Sequence, residues 1–254
     1  MHWVSLILLL GSVSDAQDLK ITALEADIRL IEELPLAPSS EVILGDRLQQ
    51  AYDDLPDSYK PGSLTRVRTL ARGILNRQRK FPPHKSLNGL KALAYETLFH
   101  VAASDTTVRG SELLEIVQGF ERHATNNPHV SYAILPALLI ERSTYYSEAE
   151  AITRRGLDQA EAYVHVRRTS ETEKEHARRK NWLYSRIHDA LGWVLIHQDR
   201  LKEAAAELET AINLNKGNQI AWYHRGIVAE RLGELDSAES FYSQSLSISW
   251  PGEN

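Results

Sequence analysis

The chain has 254 residues, enough to bury a substantial core in one or two domains, and its 43% hydrophobic and 25% charged content is ordinary for a globular protein. A formal net charge of −5 argues against a dedicated nucleic-acid binder, which would show a basic face. The absence of cysteine excludes a disulfide framework, a thiolate zinc site and a thiol nucleophile, while sparse glycine and proline against recurrent alanine, leucine, glutamate and arginine favour helix over sheet.

The first element is an apolar run, Val4 to Leu10, followed by small residues up to Ala16 and then polar Gln17. It reads as a secretory signal peptide over residues 1–16, too short to span a bilayer, although Met1-His2-Trp3 ahead of it holds no lysine or arginine. Cleavage after Ala16 would start the mature chain at Gln17, and the expected location is outside the cytoplasm, in a bacterial periplasm. A cysteine-free chain is compatible with an oxidising compartment. No later stretch is long and apolar enough for a transmembrane helix.

From Gln17 onward the apolar spacing is helical nearly throughout. Residues 18–34 place Leu19, Ile21, Leu24, Ile28, Ile31 and Leu34 on one face, and Pro35 stops the helix. A second helix covers 40–54, Asp57-Ser58 and Pro61-Gly62 mark a turn, and a third runs over 63–79. Phe81-Pro82-Pro83 is the clearest break in the chain. Helices follow at 86–103, 110–124, 130–145 and 147–168, and no alternating run suggests a strand. The mixed-charge stretch 167–180 reads as a solvated part of a long helix, with Glu175 and Arg179 spaced to pair.

Comparison of the sequence with itself gives the strongest signal. A shift of 34 residues superposes Gly192 on Gly226, Asp199 on Gly233, Leu201 on Leu235, Ala204 on Ala238 and Leu214 on Ile248. Residues 219–252 carry Trp222, then Gly226, Gly233, Leu235, Ala238, Tyr242 and Ser245; residues 185–218 carry Leu191, Gly192, Leu195, Asp199, Leu201, Ala204, Leu208 and Ala211. In period, order and residue type both resemble the tetratricopeptide repeat family. The departures are His188, where an aromatic ring is usual, and Lys216 and Trp250 at the closing proline, with Pro251 one place late. A degenerate third copy over 130–163 has Tyr146, Ala149, Arg154, Arg155 and Gly156 in order, but Pro136 and Ala137 replace its Leu-Gly pair, and about 21 extra residues separate it from the copy at Ser185.

The resemblance implies an all-α fold in which antiparallel helix pairs stack into a right-handed α–α superhelix, a tetratricopeptide-like solenoid over 130–254. Close packing of the paired helices needs small residues where backbones approach, at Gly192, Ala204, Ala211, Gly226 and Ala238. Residues 17–128 form a divergent helical region that matches no family. In the family, the first helix of each pair lines a binding groove. By position these are Arg186, Asp189, Trp193, Ile196 and His197, then Ile220, Tyr223, Ile227, Glu230 and Arg231, with Trp193, Tyr223 and Arg231 preferred because aromatics and arginine dominate binding surfaces. Modules that clamp a chaperone's terminal carboxylate use lysines and asparagines where this chain has Asp189, Trp193 and Ile220, so that ligand is not expected.

No catalytic signature is present: there is no G-x-S-x-G elbow, Walker loop, dinucleotide glycine pattern or H-E-x-x-H. The ten histidines are scattered; His123 and His129 flank a loop without an acidic cluster, and His188 and His197 are too far apart for an i, i+4 ligand pair. Glu32-Glu33 and Asp53-Asp54 fall near helix ends and are expected to be solvated. The expectation is a scaffold or adaptor of the cell envelope, with no catalytic residue, cofactor or metal, that binds a protein or peptide. The alternative is a non-catalytic arm of a larger exported enzyme, for example one with a thioredoxin-like domain, because the sequence stops at Asn254 just after a repeat's second helix. Repeat stacks usually carry a polar capping helix over the last apolar face, and since none follows the second repeat, self-association through the last helix pair is a further expectation.

Overall fold

The computed structural model describes residues 16–55, 61–80, 88–123, 130–142, 144–165 and 167–248. The expected signal peptide, apart from Ala16, lies outside them, as do His129, Trp250 and Pro251; Leu19 and Ile21 lie outside the described side chains. Every regular element among the described residues is helical. The chain divides into two compact units, one up to Asp105 and one from Thr106. The second unit includes the helix Gly110–His123 with its buried face of Leu113, Ile116, Val117 and Phe120.

The first unit contains α1 (Ala16–Glu33), α2 (Pro38–Asp53), α3 (Pro61–Gln78) and α4 (Asn88–Ser104). Pro38 opens α2, where its fixed φ suits the first turn and its missing N–H costs no bond. Helix α3 is the centre: it packs against the other three and buries Leu64, Val67, Leu70, Ala71, Ile74 and Leu75 at helical spacing. Two carboxylates are buried beside this apolar stripe. Asp27 is fully buried and accepts from Arg47 Nε at 2.7 Å and Arg66 Nε at 2.5 Å. Ile28, expected on the inner face of α1, is instead 37% exposed, because the helix turns Asp27 inward to meet the two guanidinium groups. Glu41 accepts from Arg77 Nε at 3.0 Å and Nη2 at 2.9 Å. The same guanidinium donates to the carbonyls of Ile31 (2.7 Å), Leu34 (3.0 Å) and Pro35 (2.9 Å). Arg77 thus closes the end of α1, where carbonyls lack donors from their own helix.

The second unit contains α5 (Gly110–His123), a π-helical turn (Val130–Ile134), α6 (Leu135–Arg142), α7 (Tyr146–Val164), α8 (Glu173–His197), α9 (Leu201–Leu214), α10 (Gln219–Arg231) and α11 (Leu235–Ser247). The expected helix over 130–145 is thus a wide turn leading into a short α-helix. Pro136, with no N–H for the carbonyl four residues back, stands where the two meet.

The charged stretch also departs from expectation. Helix α7 ends at Val164, and α8 begins only at Glu173. Thr172 caps α8: its hydroxyl accepts from the Glu175 N–H at 3.2 Å, and the Glu175 carboxylate accepts from the Thr172 N–H at 2.8 Å. With Glu175 committed to this capping box, Arg179 pairs with Glu171, not Glu175, at 2.8 and 3.0 Å, and its guanidinium is the main cause that brings the Glu171 carboxyl down to about 2. The residues extra to the repeat period are therefore a longer α7, a stapled loop, and about three turns added to the front of α8.

Helices α8–α9 and α10–α11 form successive pairs, with α9 against α10. Ala204 and Ala211 are fully buried and Ala238 nearly so. A Cβ on Gly192 would meet Leu208 Cγ at 2.6 Å, and one on Gly226 would meet the Tyr242 ring at 2.5 Å. In the degenerate copy the roles are exchanged: the glycine, Gly156, is on the second helix and the crowding side chain, Tyr132, is on the first. A hydroxyl–carbonyl tie is exchanged in the same way between the two good copies, Ser185 Oγ donating to Ala211 O at 2.8 Å and Ser245 Oγ to Gln219 O at 3.0 Å. His188 makes up for the missing aromatic by a 2.7 Å contact from Nδ1 to Glu207, and Trp222 donates from Nε1 to Lys216 O at 2.9 Å. Asp199 and Gly233, superposed by the repeat, both turn the chain with positive φ, 61° and 79°.

Candidate binding face

The first helices of the two good pairs, α8 and α10, lie against each other. Their facing residues make one connected cluster. Asp189, only 3% exposed, accepts at Oδ1 from His224 Nδ1 at 2.8 Å, and its other oxygen is 3.7 Å from Arg186 Nη1. That geometry places the imidazole proton on Nδ1 and leaves Nε2 for another partner. Arg186 also donates to Asn218 Oδ1 at 3.3 Å; the same oxygen caps α10 by accepting from the Ala221 N–H, and Asn218 Nδ2 donates to Ser185 Oγ at 3.0 Å.

Aromatic rings build outward from Asp189. His224 lies flat on Trp193, with centroids 4.3 Å apart and planes 9° from parallel. His197 meets Trp193 edge-on at 4.4 Å and 82°. Tyr146 continues the series beyond His197 at 5.9 Å; on the other side Tyr223 follows His224 at 5.9 Å and Tyr242 follows Tyr223 at 5.7 Å. Six rings from α7, α8, α10 and α11 thus form a continuous ladder within the distances at which aromatic pairs attract. Tyr223 is 50% exposed. Partial desolvation, and then the Arg231 charge, hold His197 below the usual histidine range, so its imidazole is neutral at neutral pH. Tyr242 donates to Glu230 at 2.7 Å; burial and that carboxylate push its phenol up to about 12, so it remains a donor.

The structure brings Arg186, Asp189, Trp193, His197 and Tyr223 into this cluster, with Glu230 at its edge through Tyr242. Arg231 has a different task. It donates to Ile196 O and to Asp199 Oδ1, both at 2.8 Å, and so ties the end of α8 to α10. Ile196 is 3% exposed and belongs to the core, not to the groove. His224 was missed, although an acid and a base 35 positions apart, within one residue of the repeat period, are a legible sign that the two meet. The remaining histidines are dispersed, His176 onto Val164 O and His188 onto Glu207, and no group of three metal-ligating side chains occurs among the described residues.

A cleft of about 370 Å³ between α5, the π turn and α7 is lined by Gln118, Glu121, Arg122, Tyr132, Arg155 and Gln159. Its main polar groups are satisfied internally: Arg155 holds Glu121 in a fork at 2.8 and 2.9 Å, and Tyr132 donates to Gln159 at 2.6 Å.

The fold and its face define a helical-repeat protein of paired antiparallel helices. Residues 220–249 match the family model described as the tetratricopeptide repeat. The match covers the last of the repeats read from the sequence, α10 and α11. No curated protein sequence matches the chain. Among solved structures, the crystal structure of MamA is similar over 75% of this chain and 95% of that one, at 15% identity and a TM-score of 0.35, too loose a likeness to carry fold or function across. Tetratricopeptide repeats point to a protein-interaction scaffold.

Proposed function

We propose that the second unit holds a peptide or protein partner against the ring face of α8 and α10. The observation that carries this reading is the six-ring ladder centred on the Trp193–His224 stack, with the Asp189 carboxylate held underneath by His224 and Arg186. Rings of this kind offer large contact area at little cost in conformational freedom. Asp189 is occupied by His224 and Arg186, and Arg231 by a carbonyl, so their charges hold the two helices in register more than they reach for a ligand. Trp193→Ala combined with Tyr223→Ala is expected to weaken capture of the partner by more than about tenfold while the helical signal in circular dichroism is unchanged. Equal capture by the wild type and the double variant removes the face from the account.

We further propose that the protein is exported and acts in the cell envelope. The run from Val4 to Leu10, the small residues up to Ala16 and the lack of cysteine support this reading. N-terminal sequencing of the protein recovered from its native compartment is expected to start at Gln17. A start at Met1 in cytoplasmic material overturns export.

A further inference from the structure

The shift that pairs the two good copies also pairs the outer stripes of their second helices. On α9 that stripe is Leu201, Ala205, Leu208 and Ile212, set three or four residues apart on one side of the helix. It packs into the cluster to which α10 contributes Ala221 and Val228, and Ile212 is left only 3% exposed. On α11 the equivalent stripe is Leu235, Glu239, Tyr242 and Leu246. Among the described residues α11 is the last helix, and its stripe stays open: Leu235 is 66% and Leu246 83% exposed. The charge of the stripe changes as well. Glu239 stands where Ala205 stands, and Asp236 lies one turn ahead of it; both are exposed, and neither carboxylate meets a cation among the described residues. Asp236 is in the first turn, where the helix dipole already favours a carboxylate, but Glu239 is beyond that turn. Helix α11 has no lysine or arginine of its own. The cations of α10 are directed elsewhere: Arg225 lies over the Phe241 ring at 4.7 Å, on another side of α11, and Arg231 is tied to Ile196 O and Asp199.

We propose that the α11 stripe is a second docking surface, and that its occupant is a basic amphipathic helix of a partner protein, lying against α10 and α11 as α10 lies against α8 and α9. Its apolar side covers Leu235 and Leu246, and its lysines or arginines meet Glu239 and Asp236. The repeat supplies the helical form of the occupant, since the same stripe one copy earlier is closed by a helix. The two free carboxylates, on a chain whose net charge is −5, supply its sign. The residues after Ile248 include Glu253 and no cation, so their charge does not suit the surface. The stripe meets the ring face at Tyr242 but does not use the Trp193–His224 stack, so the two readings stand or fall separately.

The test uses the full chain and fluorescently labelled synthetic peptides of about 18 residues, long enough to form a helix, read by anisotropy. One peptide carries leucines along one helical side with lysines flanking them. A second has glutamates in place of the lysines, and a third keeps the lysines but scatters the leucines around the helix. The first peptide is expected to bind, and the other two to bind at least about tenfold more weakly. Leu246→Ser and Glu239→Lys, both at exposed positions that leave the core intact, are each expected to weaken the first peptide by a similar factor, and added salt to weaken it further. Trp193→Ala is expected to leave it unchanged. No binding of the first peptide, equal binding of the second or third, or binding indifferent to Leu246→Ser and Glu239→Lys overturns the proposal. Binding that Trp193→Ala weakens and those two variants do not places the peptide on the ring face and also overturns it. If sedimentation shows the chain associating with itself, and Leu246→Ser abolishes that association, a second copy occupies the stripe and the partner helix is wrong.

Discussion

Ala204→Glu is expected to abolish the cooperative thermal melt of the second unit and most of its helical signal. Ala204 is fully exposed to its neighbours and not at all to solvent, in the contact that lets α9 lie close to α8 in the core formed with Leu191, Leu195 and Leu208. A glutamate there must bury a carboxylate without a partner and also force the pair apart. The two costs together amount to several kcal/mol or more, against a total stability of about 5–15 kcal/mol for a domain. Because each pair is covered by its neighbour, the loss spreads from α8–α9 to α10–α11. Ala206→Glu, two positions away on the exposed side of α9, is the control and should melt like the wild type. A normal melt for Ala204→Glu contradicts the packing of the repeat.

Arg77→Ala should destabilise the first unit by about 3–5 kcal/mol, read from denaturant unfolding. The side chain is 8% exposed and the Glu41 carboxylate beside it 1%. Truncation strands that carboxylate and releases the carbonyls of Ile31, Leu34 and Pro35 at the end of α1. The dominant cost is the charge left behind, so Arg77→Met together with Glu41→Leu should be milder than Arg77→Ala alone. A double variant that loses as much as the sum of its single changes would show that the two side chains act independently.

The all-helical class and the two good repeats were legible because their signals are local. Apolar spacing reports helices one at a time, and the shift that lays Gly192 on Gly226 and Ala204 on Ala238 reports the contacts between paired helices. Asp199, which the same shift lays on Gly233, adopts the same left-handed turn. What the sequence did not show was polar pairing across helices. Nothing in the pattern around Asp27 tells that it points inward, since its partners Arg47 and Arg66 come from α2 and α3. The spacing of Glu175 and Arg179 suggested a pair, but the cap at Thr172 engages the glutamate first. The candidate face was half legible. Family positions selected Asp189, Trp193, His197 and Tyr223, but they could not separate Arg231, which ties two helices, from residues open to a partner. His224 lies one position off the repeat register of Asp189, so position-by-position transfer passes over it.

The central claim is that partner binding runs through the rings on α8 and α10. It is tested most directly by the dissociation constant of the captured partner for the wild type, for Trp193→Ala with Tyr223→Ala, and for Lys202→Ala on the exposed side of α9. The account predicts a constant raised by more than about tenfold for the double variant and unchanged for Lys202→Ala, with the same helicity in all three. A double variant that binds as the wild type does, with its helices intact, would contradict it.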